Sequence, residues 1–189
     1  MIIISQNLSN FDFSLPPDAI FRINLAWVNH IDELKSLLDK NLEHKIFLDL
    51  PVGRTKPPNN KYSFDDISII LNSYKNIKYF AISNVNSKKD LEPYVQSIPQ
   101  HITLVPKIES PEGVRNIEEI VDFLGDKKTV MLDHDDLFTN TLKEDQTPLE
   151  FKQYFTQLVT YCNNHNVELL RTIGVVFSDQ EKRVTEYVQ

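Results

Sequence analysis

The chain alternates. Short apolar, β-branched runs recur along it, and between them lie stretches whose apolar residues return with the period of a helix. Seven runs stand out: residues 1–5, 19–25, 45–50, 77–82, 102–108, 129–132 and 167–176. Helical stretches fill the gaps, among them Ile31-Leu34-Leu37-Leu38, Ile67-Ile70-Leu71-Tyr74, Val114-Ile117-Ile120-Val121-Leu124 and Phe151-Phe155-Leu158-Val159-Cys162. Helix entries are signalled as well: Ser63 precedes Asp65-Asp66, and Ser110 precedes Pro111 at a first helical position. Strands of four to eight residues alternating with helices mean βαβ units and a mostly parallel α/β sheet. Near-continuous apolar strands fit a sheet covered on both faces. Two architectures stay open, a doubly wound sheet and a (β/α) barrel. A complete barrel usually needs about 250 residues, about 200 at the low end, so 189 would make a small one.

Composition narrows the function classes. The 41% hydrophobic and 25% charged residues are those of one ordinary globular domain spanning 1–189. With 27 acidic against 20 basic side chains, the net charge of −7 argues against a nucleic-acid partner, which needs clustered Lys and Arg. No apolar run approaches the roughly 18–20 residues of a membrane helix, and the first residues lack a signal-peptide pattern, so a cytoplasmic location is expected. A lone cysteine, Cys162, excludes an internal disulfide and a cysteine-rich zinc cluster; on the apolar face of a helix it reads as core. There is no Gly-x-Gly-x-x-Gly, no phosphate loop and no Gly-x-Ser-x-Gly.

Both architectures bind ligands at the carboxyl ends of their strands, so polar residues there carry the functional signal. The second run ends Arg22-Ile23-Asn24, the third Asp49-Leu50-Pro51 with Arg54 beyond, and the fifth Lys107-Ile108-Glu109. The sixth ends Asp133-His134-Asp135-Asp136, and the seventh holds Arg171-Thr172. Charges in buried strands are costly unless paired or metal-bound. Lys107 and Glu109, two apart on a strand, share one face, where they would form a buried ion pair or part of a site. The acidic cluster of the sixth run would repel Glu109 unless a cation intervened, and carboxylates suit Mg²⁺ or Mn²⁺. Solvated strand-end acids would look the same. His134 reads either as base or ligand, or as a hydrogen-bonded spacer. His30, His44, His101 and His165 read as surface residues, and Trp27 as pocket lining or barrel rim.

These residues also carry a family resemblance. Val105-Pro106-Lys107-Ile108-Glu109-Ser110-Pro111-Glu112-Gly113-Val114-Arg115 resembles the Lys-Ile-Glu strand and Glu-Gly-Val-Arg helix start of pyruvate kinases. Residues 129–137 are similar to the next strand of that family, with its Asp-Leu turn; Arg22-Ile23-Asn24, Leu48-Asp49 with Arg54, and residues 167–172 resemble further strand ends. The matches keep the family's order over roughly residues 19–178. The Glu and Asp-Leu elements are shared with the wider phosphoenolpyruvate/pyruvate-binding barrel group, including HpcH/HpaI aldolases and citrate lyase β-subunits. The resemblance implies a compact, incomplete TIM-type barrel of about seven parallel strands.

It also implies roles. Glu109 and Asp136 would hold Mg²⁺ or Mn²⁺, with Asn24, Asp49, Asp133 and His134 as accessories. Lys107 would stabilise an enolate, Thr172 would lie beside the reacting carbon, and Arg22 and Arg54 would bind substrate anions. Backbone N–H groups after Asp135-Asp136 would receive the substrate carboxylate at a helix start. The substrate would be phosphoenolpyruvate, pyruvate or a related 2-oxo acid, in a lyase-type or phosphoenolpyruvate-using reaction. An oligomer or a protein partner would complete the barrel. Residues 56–62 stand where pyruvate kinases insert a lid domain; Ala26, Trp27, Leu50, Asp135 and Phe138 depart from the family pattern. Those departures also fit a non-catalytic remnant serving as ligand sensor or assembly subunit, and a minimal kinase whose partner supplies the lid.

Overall fold

The computed structural model describes residues 3–5, 18–54 and 57–171. Seven strands run through it: β1 (Ile3–Ser5), β2 (Ile20–Asn24), β3 (Lys45–Leu50), β4 (Ile77–Ile82), β5 (Thr103–Ile108), β6 (Thr129–Leu132) and β7 (Glu168–Arg171). All neighbouring pairs are parallel, and the spatial order is the sequence order, β1 to β7. A doubly wound sheet reverses order at a switch point; this one never does. It is a singly wound, curled half-barrel.

The helices are α1 (Ile31–Lys40), α2 (Phe64–Ser73), α3 (Glu92–Val95), α4 (Pro111–Arg115), α5 (Ile117–Phe123), α6 (His134–Lys143) and α7 (Pro148–Asn164). Their starts follow local chemistry. Ser63 and Asp66 form a reciprocal capping box on α2, as do Thr147 and Glu150 on α7, where Pro148 takes the first position. Ser110 Oγ accepts the Gly113 N–H at 3.0 Å to open α4. The expected continuous helix over 114–124 is broken at Asn116, whose backbone leaves the helical region and whose amide donates to Asn86 O at 2.8 Å. The helix at 134–143 is absent from the stretches read by periodicity, although the family resemblance implies a helix start after Asp135-Asp136.

Strand alternation sorts the core into two layers. Phe21, Ile23, Leu48, Phe80, Ile108 and Leu132 face the helices and meet residues such as Leu34, Leu71, Ile120 and Leu158, all buried. Each such side chain contributes about 1.5–3 kcal/mol. The opposite face carries a smaller cluster, one residue from each of six strands: Ile20, Phe47, Ala81, Val105, Met131 and Leu170. Residues from six successive strands touch one another only on the concave side of a curled sheet, and this set forms the barrel's inner apolar floor. Cys162 packs into the outer layer with 1% exposure, and burial pushes its thiol up to about 11.

Gly113 marks a tight junction between α4 and the segment after β4. A Cβ there would lie 2.6 Å from the backbone oxygen of Val85. Gly113→Ala is therefore expected to lower stability by about 1–3 kcal/mol, the ordinary range for overpacking, read as a shift in the denaturation midpoint at unchanged m-value.

Candidate functional site

Two residues beyond the apolar floor on each strand, toward the carboxyl ends, the interior turns polar. Arg22 follows Ile20, Asp49 follows Phe47, Ser83 follows Ala81, Lys107 follows Val105, and Asp133 follows Met131. The period of two along each strand puts all five on the same concave face. Glu109 stands two residues further along from Lys107.

These side chains converge. Lys107 Nζ lies 2.7 Å from Glu109 Oε1, 3.7 Å from Asp49 Oδ2 and 4.0 Å from Asp133 Oδ2, and donates to Ser83 Oγ at 3.0 Å. Arg22 pairs with Asp49 Oδ2 through Nη2 and through Nε, the latter at 3.1 Å. Asp49 is fully buried, and its other oxygen, Oδ1, is buried with no hydrogen-bond partner. Glu109 Oε2 accepts the backbone N–H of Asn84 at 2.7 Å, and the Glu109 carbonyl accepts from Asn140 Nδ2 at 2.8 Å. Oxygens of Glu109, Asp133 and Asp136 all come within 4.8 Å of one another.

Burial and pairing set the protonation of this cluster. Burial alone would lower the pKa of Lys107, but the Asp49 and Glu109 carboxylates outweigh it and the ammonium is held above its ordinary value. The same balance raises Arg22, where Asp49 overcomes burial. For Asp49, burial pushes up, while Lys107 and Arg22 together pull its pKa below the usual carboxylate value. Glu109 goes the other way: burial beats Lys107, and its pKa is raised. Among the described residues, Lys107 and Arg22 stand in one cluster with the carboxyl groups of Asp49, Glu109, Asp133 and Asp136.

Of the residues singled out in the sequence, Arg22, Asp49, Lys107, Glu109, Asp133 and Asp136 come together. Asn24 lies beside Asp49 in the β2–β3 register and uses its side-chain oxygen to accept the Ala26 N–H at 3.0 Å. Arg54 is not brought to the cluster; its guanidinium donates to the Pro58 and Pro57 carbonyls at 2.8 and 3.3 Å. Asp135 is exposed and outside the trio of acids. His134 joins Arg171 (3.2 Å) and the ring of Phe155 (5.4 Å between centroids), and burial first, then Arg171, lowers its pKa. Thr172 lies outside the described residues.

Two expectations are corrected. The N–H groups expected to receive a substrate carboxylate after Asp135-Asp136 are taken up by the helix itself. Asp133 caps α6, its carboxylate accepting the Asp136 N–H at 3.3 Å and its carbonyl the Leu137 N–H at 3.0 Å. His44 and His101 are half-buried rather than surface residues, with His44 Nδ1 and His101 Nε2 buried and unpartnered. Strand β7 is described only over 168–171, and the rest of the expected run at 172–176 lies outside the described residues. Ser83 and Asn84 are contributors that sequence reading missed, although they follow the fourth apolar run just as the other site residues follow theirs.

Fold and cluster together define a class: a sequentially wound, parallel α/β half-barrel with a cluster of carboxyl, ammonium and guanidinium groups at the carboxyl ends of its strands. No family model and no curated protein matches the chain. Among solved structures it is similar to the crystal structure of RipC from Yersinia pestis, with a TM-score of 0.59 and 14% identity over 88% of this chain and 78% of that one. At that identity the likeness is one of fold. Among the described residues, no helix is long and apolar enough to cross a membrane.

Proposed function

We propose that this chain is a TIM-type, pyruvate kinase-like barrel that binds Mg²⁺ or Mn²⁺ together with pyruvate, phosphoenolpyruvate or a related 2-oxo acid, and stabilises the enolate of that acid. The observation that carries the reading is the convergence of the Glu109, Asp133 and Asp136 oxygens within 4.8 Å, beside an ammonium 2.7 Å from Glu109. The donor set fits the ion: three carboxyl groups offering hard oxygen ligands and no sulfur among them. The unpartnered Asp49 Oδ1 adds a buried acceptor without a donor, as expected beside a site that takes a polar guest.

The bound cation would supply Lewis-acid polarisation of the keto oxygen. The chain's own groups would do the rest. Lys107, kept protonated by its carboxylate neighbours, would place positive charge where the enolate oxygen develops. Arg22, with 15% of its side chain exposed, would offer its remaining N–H groups to the substrate carboxylate while Asp49 fixes its orientation. Phe47 and Met131 in the floor below would keep water from the reacting carbon.

Exchange of pyruvate methyl protons in D₂O, followed by proton NMR, tests this without assuming the second substrate. The wild-type chain with Mg²⁺ is expected to accelerate exchange, and Glu109→Gln to lose about 100-fold or more of that rate. Exchange at the buffer rate with wild type would remove the enzyme reading.

A second reading has an observation of its own. The 2.7 Å Lys107–Glu109 contact and the Arg22–Asp49 pair form a continuous ionic chain that would hold without any ligand, as in a non-catalytic sensor or assembly subunit. Calorimetric titration with Mg²⁺ and oxalate separates the two, since only the first reading requires joint binding. Among the described residues, β1 and β7 each pair on one side alone, and exposed strand edges invite pairing. A homo-oligomer or a partner protein closing the barrel is part of the proposal, and a monomer by light scattering would count against it.

A further inference from the structure

We infer that Asn84 and Asn140 are positioning residues that clamp Glu109 from two sides and set the span of the acidic trio; this rests on the metal-site reading above. Asn84 lies two residues past β4 with φ at +56°, in the left-handed region that L residues other than Asn and Asp rarely adopt. Its side chain is tied down, Nδ2 donating to Val52 O at 2.7 Å, with Gly53 packed alongside. This turn aims the Asn84 backbone N–H at Glu109 Oε2, 2.7 Å away, while Lys107 engages Oε1. The carboxylate therefore has one orientation.

Asn140 works on the other side. It follows Asp136 by four residues on α6, so the two lie on the same face of that helix. Its Nδ2 donates to the Glu109 carbonyl at 2.8 Å, tying the end of β5 to the helix that carries Asp136. One asparagine orients the Glu109 carboxylate, and the other fixes its backbone relative to the second acid. Outer partners of this kind typically change metal affinity by about 10–100-fold when removed.

Mn²⁺ titration of the full chain by calorimetry, for wild type, Asn84→Ala, Asn84→Gly, Asn140→Ala and the core control Ile120→Val, tests the clamp. Asn84→Ala and Asn140→Ala are expected to weaken Mn²⁺ binding about 10–100-fold. Asn84→Gly accepts a positive φ freely and keeps the N–H, so it is expected to stay within about threefold of wild type. Ile120→Val is expected to lose stability and keep its affinity, which a merely structural effect would not allow. Wild type binding Mn²⁺ while both alanine variants match it overturns the clamp alone, as does affinity that simply tracks melting temperature across all four variants. Wild type binding no Mn²⁺ overturns the metal-site reading and the clamp with it. If Asn84→Ala does not fold, Asn140→Ala decides.

Discussion

Lys107→Ala is expected to cost about 3–5 kcal/mol of folding stability, the range for breaking a buried ion pair from one side. The lysine is 5% exposed and stands among Asp49, Glu109 and Asp133, all within 4.0 Å. Removing its ammonium leaves three carboxylates beside one another, with Arg22 as the remaining cation of the network. Desolvated, uncompensated charge is the costliest defect an interior can hold. Equilibrium denaturation of wild type and variant reads the difference. Lys107→Met should recover part of the packing loss and none of the electrostatic loss. A ΔΔG below about 1 kcal/mol for both, the value of an exposed pair, would show that solvent reaches the cluster.

The second large effect lies one layer down. Phe47 is fully buried, stacked on Tyr79 at 5.9 Å between ring centroids, and shares the inner cluster with Ile20, Ala81, Val105, Met131 and Leu170. Phe47→Ala is expected to lower stability by about 3–5 kcal/mol, from lost transfer energy plus a cavity that a curved, close-packed sheet collapses poorly. Asp49, two residues on, rests above this floor. The variant should therefore weaken ligand binding as well as the fold. Phe47→Leu, which keeps most of the volume, should cost less than half as much in denaturant. Equal losses for alanine and leucine would mean that the ring's shape, rather than its bulk, supports the layer above.

Much of the architecture was legible because strand burial and helix amphipathicity leave different periods in the chain. Runs 45–50, 77–82 and 129–132 coincide with β3, β4 and β6. The choice between a doubly wound sheet and a barrel was not legible, since strand order depends on contacts far apart in sequence. The convergence of Arg22, Asp49, Lys107 and Asp133 follows from polar residues placed two beyond an apolar one on successive strands, with Glu109 two residues past Lys107. That pattern is visible once the register is known. Ser83, two past Ala81, obeys the same rule after β4 but is uncharged, and Asn84 contributes through its backbone N–H, which side-chain chemistry does not reveal.

Helix α6 was not read from periodicity, and its start was implied by the family resemblance alone. Asp133-His134-Asp135-Asp136 resembles a solvated strand end, whereas Asp133 three residues before Asp136 is also a helix cap, and the cap prevails. That start places Asp136 in the first turn, within reach of Glu109, and turns Asp135 out to solvent. Arg54 failed to join the cluster because nearby proline carbonyls satisfy its guanidinium. Spacing in sequence does not reveal such local competition.

The most direct measurement is anomalous diffraction from crystals of the full chain grown with Mn²⁺ and oxalate. The account predicts one manganese peak at about 2.1 Å from carboxylate oxygens of both Glu109 and Asp136, with oxalate completing its coordination next to the Lys107 ammonium. A manganese position elsewhere, or none while Lys107 and Glu109 keep their 2.7 Å contact, would contradict it.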